Sequence, residues 1–163
     1  MAELTNMDTK VAEVIGLAQA AQGATEKVEK LVEDDALKQT LQRMREEAIE
    51  TEERTTRVVE GVDGKKTAIL AKARETKQEA TEMMQTYLGQ DADGLDGFEF
   101  LTMAEAGEVG HWEILGTLNE RARNAALGEV IDWATPIQER HLQEARKGSL
   151  QLAADEDPNE PAL

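Results

Sequence analysis

Cysteine is absent from the 163 residues of this chain, and several other residue types are scarce. Without cysteine, the sequence excludes disulfide bonds, thiol nucleophiles, and zinc or iron–sulfur sites held by cysteine. Aromatic residues make up only 3% of the chain and proline occurs three times, so a core has to be built from aliphatic residues, alanine and methionine. This composition, rich in strong helix formers, is typical of an all-α protein.

Basic residues are also few. The chain carries 18 lysine and arginine residues against 34 acidic residues, which gives a formal net charge of −16. Nucleic acid and anionic membrane both attract clustered lysine and arginine, so neither is an expected partner. No apolar run approaches the roughly 20 residues of a membrane span, and the first ten residues lack the apolar stretch of a signal peptide. We therefore expect a cytoplasmic protein.

Helical periodicity divides the chain into five segments. Apolar and small residues recur at helical spacing over residues 8–33, 36–60, 65–88, 98–126 and from about 129 to 155. Turns that contain glycine or aspartate separate the segments. The pattern predicts an all-α fold, an antiparallel four-helix bundle made of two long helical hairpins with an additional connecting helix.

The boundaries of this fold follow from proline and charge. A single domain is expected over residues 1–154, followed by an acidic flexible tail over residues 155–163. Pro136 lies inside the last helical segment and predicts a kink or a restart of the helix there. Thr135 and Gln138 form a capping-box pattern around it, which favours the restart.

Polar side chains interrupt the apolar stripes of the last two helices. Glu108 and His111 stand in the stripe of the fourth helix, and His141 and Glu144 stand in that of the fifth. With the turn between these helices centred on residue 126, His111 comes opposite His141, so the two His–Glu pairs are expected to meet. Buried carboxylates and imidazoles need a partner or a cation, and Glu-x-x-His on an inward face is the ligand spacing of di-iron helical bundles. The pattern predicts a metal site.

The first hairpin supplies the other side of this site. Glu47 lies closest to the stripe of the second helix, and Glu50 lies farther round on its flank. Folding the hairpin places them opposite Gln22 and Gln19, where a di-iron bundle has a glutamate, and a neutral amide is a poor iron ligand. The complete set of candidate metal ligands is Glu47, Glu50, Glu108, His111, His141 and Glu144.

Two other interpretations concern the same polar residues and the loop before the fourth helix. The four residues of the last hairpin also suit a hydrogen-bonded core network that binds no metal, or a partly exposed position. The aspartates at positions 91, 93 and 96 lack the spacing of a calcium loop, so we expect them to serve the turn and the helix start.

Two stretches carry a family resemblance. Met44-Arg-Glu-Glu-Ala-Ile-Glu-Thr51 is similar to a His-x-x-Glu-Thr pattern, and Glu108-Val-Gly-His-Trp-Glu-Ile114 is similar to a Val-Glu-His-Tyr-Glu-Ile pattern. Both patterns are typical of the bacterial YciF-type ferritin-like stress proteins, which the chain resembles from about residue 10 to residue 152. The chain departs from the family at Glu47, where the family has histidine, and at Gly110, where it has glutamate.

The resemblance implies a ferritin-like four-helix core, a homodimer or higher homo-oligomer, and a metal site. Glu50, Thr51, His111 and Glu113 match the family patterns. The expected metal is iron, as a di-iron centre, with manganese or zinc as other candidates. We therefore expect a stress-associated protein with ferroxidase-like or peroxide-consuming chemistry. The alternative is a metal-free oligomeric scaffold or partner-binding protein that keeps the fold without the metal centre.

Overall fold

Five helices and no strand are present in the computed structural model, which describes residues 2–62 and 64–162. The helices are α1 (Asn6–Glu29), α2 (Asp35–Glu60), α3 (Lys66–Tyr87), α4 (Gly94–Ala122) and α5 (Ala125–Ala154). They confirm the all-α class and the five predicted segments, with ends that differ by a few residues. None of these helices is long and apolar enough to span a membrane.

Short polar side chains fix the starts of several helices. Asp93 and Asp96 form a capping box at the start of α4, which confirms the predicted role of two of the three loop aspartates. Asp34 caps α2: its carboxylate accepts a hydrogen bond from the backbone N–H of Leu37 at 2.9 Å. These side-chain hydrogen bonds set the starts of α2 and α4.

Four helices form a bundle, and α3 lies outside it. α1 packs against α2 and α4, and α5 packs against α4 and α2, so the hairpins α1–α2 and α4–α5 lie side by side. α3 connects the hairpins and packs mainly against α1. The two backbones approach closely at Gly16, where an added Cβ would lie 2.4 Å from the carbonyl oxygen of Ala73. The chain is thus a helical bundle of two hairpins with an additional connecting helix.

Helix α5 passes through Pro136 without interruption, so the predicted restart is wrong. Pro136 is exposed, whereas Ala134 and Gln138 on the opposite side of the helix are buried. Packing of that buried side stabilises the helix across the missing backbone hydrogen bond. The predicted capping box is also wrong, because the Gln138 side chain lies in the core and the Thr135 hydroxyl has no partner among the described residues.

Two apolar clusters fill the ends of the bundle. The cluster beside the start of α1 contains Ile15, Val59, Trp112, Leu115 and Leu127, among others. The cluster at the opposite end contains Val28, Leu41, Met44, Phe98 and Leu101, among others. Each of the four bundle helices contributes to both clusters, so the middle of each helix lies between them.

The residues between the two clusters form a polar layer. Its members are buried and come from three helices: Thr51 and Thr55 from α2, Glu105 and Glu108 from α4, and Gln138 and His141 from α5. On α1 the buried residues at this height are alanines. The threonine hydroxyls donate to carbonyl oxygens of their own helix and are satisfied locally. The unusual chemistry of the bundle is therefore concentrated on α4 and α5.

Candidate functional site in the bundle core

His141 is the buried imidazole of the polar layer, with 2% of its surface exposed. Its Nε2 lies 3.2 Å from Glu47 Oε1, and its Nδ1 lies 3.8 Å from Glu105 Oε2. Burial lowers the pKa of His141, although the hydrogen bond and the charge of Glu47 oppose the shift. The ring is therefore neutral at pH 7, and it donates one N–H to Glu47.

Two arginines flank the layer and pair with its outer carboxylates. Arg140 binds Glu47 through both terminal nitrogens, with Nη1 at 2.8 Å from Oε1. Arg43 pairs with Glu144 across the α2–α5 contact through one terminal nitrogen and one carboxylate oxygen, and the other oxygen, Glu144 Oε2, has no hydrogen-bond partner among the described residues. Burial alone would raise the pKa of Glu47, but the hydrogen bonds from Arg140 and His141 hold it below its usual value. Burial raises the pKa of Glu144, and Arg43 and Arg140 offset part of this shift.

Glu105 and Glu108 are the most deeply buried carboxyl groups of the layer, with 1% and 4% of their surfaces exposed. In the amide orientation that satisfies hydrogen bonding, the Gln138 side chain donates to Glu105 Oε2 at 3.1 Å and to Glu108 Oε2 at 3.0 Å. Burial, aided by the charge of Glu144, raises the pKa of Glu105 to about 8. Burial, aided by the charge of Glu105, raises the pKa of Glu108 well above its usual value. Glu105 is therefore protonated at pH 7.

His111 does not enter the polar layer. Its Nδ1 donates to the Gly107 carbonyl oxygen of its own helix at 2.8 Å, and its Nε2 lies 3.4 Å from Glu13 Oε2 on α1. The predicted meeting of His111 with His141 is wrong because the α4–α5 turn lies at residues 123–124 rather than 126. In this register the residue opposite His141 is near position 106. Glu105 and Glu108 therefore occupy the position opposite His141 that was predicted for His111.

The remaining predicted ligands divide into two groups. Glu47, Glu144 and His141 come together at the α2–α5 contact, with Glu108 in the same layer. Glu50 lies on the exposed face of α2 and pairs with Arg54. Four of the six predicted residues are thus gathered in or beside the polar layer, and Glu50 and His111 are not.

A di-iron centre requires a glutamate from each of two helices and Glu-x-x-His from each of the other two. Helix α1 has no carboxylate in the layer, since Gln19 and Gln22 line an outer groove beside Glu52 on α2 and Arg74 on α3. Helix α5 has Gln138 at the glutamate position of its motif. Within residues 2–62 and 64–162, no three His, Asp or Glu side chains converge to hold a metal ion. The residues present do not fit a di-iron centre.

Sequence reasoning missed Glu105, Gln138 and the two arginines. The predicted stripe of α4 contains Glu108 and His111, whereas the buried face contains Glu105, Glu108 and Trp112. The sequence signal for the correct face was Trp112, a large apolar residue next to His111. In the structure Trp112 is buried. The arginines gave no such signal, because long side chains reach the layer from the flank of a helix.

An apolar groove between α1, α3 and α4 leads to the polar layer. It encloses about 300 Å³ and is lined mainly by alanine, leucine, methionine and phenylalanine. Glu105, Glu108 and His111 also line it. The two buried carboxyl groups therefore line a groove that opens on the surface of the bundle.

Comparison of the chain with family models, curated proteins and solved structures gives no significant match. The YciF-type resemblance therefore stays a prediction from two short stretches.

Proposed function

We propose that this chain is a ferritin-like bundle whose core is held by protein side chains alone, and that it works as a self-associating scaffold. The pairing of the four core carboxyl groups carries this proposal. Arg140 binds Glu47 and Arg43 binds Glu144, while the Gln138 amide bridges the two carboxyl groups of α4. Partners of this kind hold buried polar groups in place without a metal ion, although one oxygen of the layer, Glu144 Oε2, has no hydrogen-bond partner among the described residues.

The ferritin-like part of the proposal is supported by topology. Two antiparallel hairpins lie side by side, the chain crosses between them through α3, and polar side chains are concentrated at mid-height of the bundle. A role in stress responses, which the resemblance implies, belongs to the same proposal and is independent of metal content.

Self-association is supported by the outer face of α4. Met103, Gly107, Gly110 and Ile114 follow one another at spacings of four, three and four residues. An added Cβ at either glycine would meet nothing of the described chain within 4 Å, so the fold itself does not require glycine there. Glycine within a helix costs about 1 kcal/mol relative to alanine, and Met103 and Ile114 are 53% and 46% exposed.

The spacings of four, three and four residues on α4 are identical when counted from either end of the helix. In an antiparallel pairing of α4 with α4 of a second copy, Met103 comes next to Ile114 and Gly107 next to Gly110. Such a contact is self-complementary, as a twofold dimer requires. We therefore place the homodimer contact on this face of α4.

Metal content tests the first part of the proposal. The untagged full chain is incubated anaerobically with Fe²⁺, Mn²⁺ or Zn²⁺, desalted, and analysed for metal and for its Tm with and without chelator. We expect no retained metal and no change in Tm. Near-stoichiometric metal that raises the Tm, is lost in Glu108→Gln and is kept in Glu120→Gln, an exposed position of the same helix, would overturn the proposal.

A core cation site for iron, manganese or zinc is the second candidate function. One observation favours it: Glu105 and Glu108 are paired with a neutral amide and not with an arginine. The metal analysis above distinguishes the two candidates directly.

Sedimentation analysis tests self-association. We expect a dimer for the natural chain and a folded monomer for Gly107→Lys, because a long cation on this face blocks the contact while its Cβ would meet nothing of the described chain within 4 Å. Gly23→Lys is the matched control, since Gly23 also lies in open space on an exposed helix surface. A monomeric natural chain, or a Gly107→Lys variant that still forms dimers, would refute the α4 contact.

A further inference from the structure

We propose that the groove between α1, α3 and α4 binds a lipophilic organic cation, with its ammonium group at Glu105 and Glu108 and its apolar body along the groove. This inference rests on the proposed function, because a metal ion at the two carboxyl groups would take the place of the ammonium group.

The walls of the groove suit an apolar body. Its volume of about 300 Å³ lies at the lower end of the roughly 300–1,000 Å³ that small-molecule pockets span. Small side chains of α1 form one side, Met83 and Met84 of α3 form another, and Met103 at the α4 edge is shared with the proposed dimer contact. Methionine side chains are flexible and polarizable, so they adapt to apolar ligands of different shape.

The charge at the inner end of the groove selects a cation. Glu105 and Glu108 are buried carboxyl groups whose hydrogen-bond partner in the described chain is the neutral amide of Gln138. The arginines of this region are already bound to Glu47 and Glu144. A positive charge is therefore the partner that the two carboxyl groups lack. An apolar groove leads to them, so an ammonium group on a hydrocarbon body matches both features.

Binding of such a cation releases a proton. Burial keeps Glu105 protonated at neutral pH. An incoming ammonium favours the carboxylate, and the proton goes to solvent while the ammonium keeps its own. The charged or titratable groups next to Glu105 are Glu108 on α4 and His141 and Glu144 on α5. Beyond them lie Glu47, Arg43 and Arg140, which pair with His141, with Glu144 or with each other, and His111 lines the same groove. Because ionisation of Glu105 favours binding, affinity increases as the pH rises from about 6 to about 8.

Three ligands with the same hydrocarbon body test the charge requirement: octylamine, octanol and octanoate. Calorimetric titration of the full, metal-free chain at pH 8 is expected to give one octylammonium bound per chain. Octanol should bind more weakly than octylamine by a factor of roughly ten or greater, and octanoate should not bind. Equal binding of octylamine and octanol would overturn the inference, because it would indicate an apolar surface without charge selection.

Two variants locate the site. Glu108→Gln, which preserves shape, should weaken octylamine binding roughly tenfold and leave octanol binding unchanged, while the exposed Glu120→Gln should change neither. Unchanged octylamine binding in Glu108→Gln would refute the location.

Metal content separates failure of this inference from failure of the proposed function. A chain that retains no metal and binds no octylamine refutes the inference and leaves the metal-independent core standing. A chain that retains metal, released by chelator with a loss of Tm, refutes both.

Discussion

Glu105→Gln should stabilise the protein, and by an amount that grows with pH. The folded pKa of Glu105 is about 8, against an ordinary value of 4.5. A carboxyl group with a raised folded pKa contributes stability that is complete below the ordinary value and is lost as the pH rises through the folded value. At about 1.4 kcal/mol per pKa unit, the loss for Glu105 between pH 4.5 and pH 7 is about 3 kcal/mol. Glutamine cannot ionise and has nearly the same shape, so the variant escapes this loss.

Urea unfolding of the natural chain and of Glu105→Gln at several pH values between about 5 and 8 measures the effect. The difference between the two free energies of unfolding isolates Glu105, because His141 and the other titratable groups are common to both chains. We expect this difference to grow by about 3 to 4 kcal/mol across the range. Glu120→Gln, on the exposed side of the same helix, should show no such trend. A difference that does not change with pH would refute the argument, because Glu105 would then be ionised in the folded chain.

Further substitutions test the packing and pairing around the polar layer. Arg140→Gln removes the bidentate partner of Glu47 and should lower the free energy of unfolding by about 1–2 kcal/mol, whereas Lys66→Gln, at an exposed pair, should change it by less than about 0.5 kcal/mol. Gly148→Ala should cost about 1–3 kcal/mol, because its Cβ would lie 2.3 Å from an aromatic ring carbon. Gly23→Ala, in open space, should instead stabilise α1 by up to about 1 kcal/mol. Urea unfolding at pH 7 measures all four.

The helices could be predicted from the sequence because their signals are local. Apolar spacing and the glycine–aspartate turns located all five elements and both hairpins. The α4–α5 turn was misplaced because its left-handed residue is Arg123, with φ 54°. Glycine or asparagine normally marks such a position, so Gly128 was the more visible signal. A turn displaced by about two residues then changed the predicted register of the whole hairpin.

The site was less predictable because it depends on that register and on long side chains. Glu108, His141 and Glu47 were identified correctly as core or near-core polar residues, since each interrupts an apolar stripe or lies beside one. His111 was assigned to the core because it stands in the predicted stripe of the fourth helix. The buried face of α4 contains Trp112 instead, and His111 lies beside Glu13 on α1. The pairing of Arg140 with Glu47 joins residues 93 positions apart, and no local pattern contains this information.

The energetic state of the polar layer gives the strongest reason to look for a ligand. Replacing buried charged groups with apolar residues of similar volume is often neutral or stabilising. If the layer only stabilised the bundle, apolar residues in place of Glu105 and Glu108 would therefore give a higher free energy of unfolding. At neutral pH, the raised pKa of Glu105 lowers the free energy of unfolding, and the hydrogen bond from Gln138 offsets only part of this loss. A cation bound at the inner end of the groove would remove this cost by stabilising the carboxylate. The pH dependence of Glu105→Gln stability and the binding of octylamine therefore test the same imbalance of charge by two independent measurements.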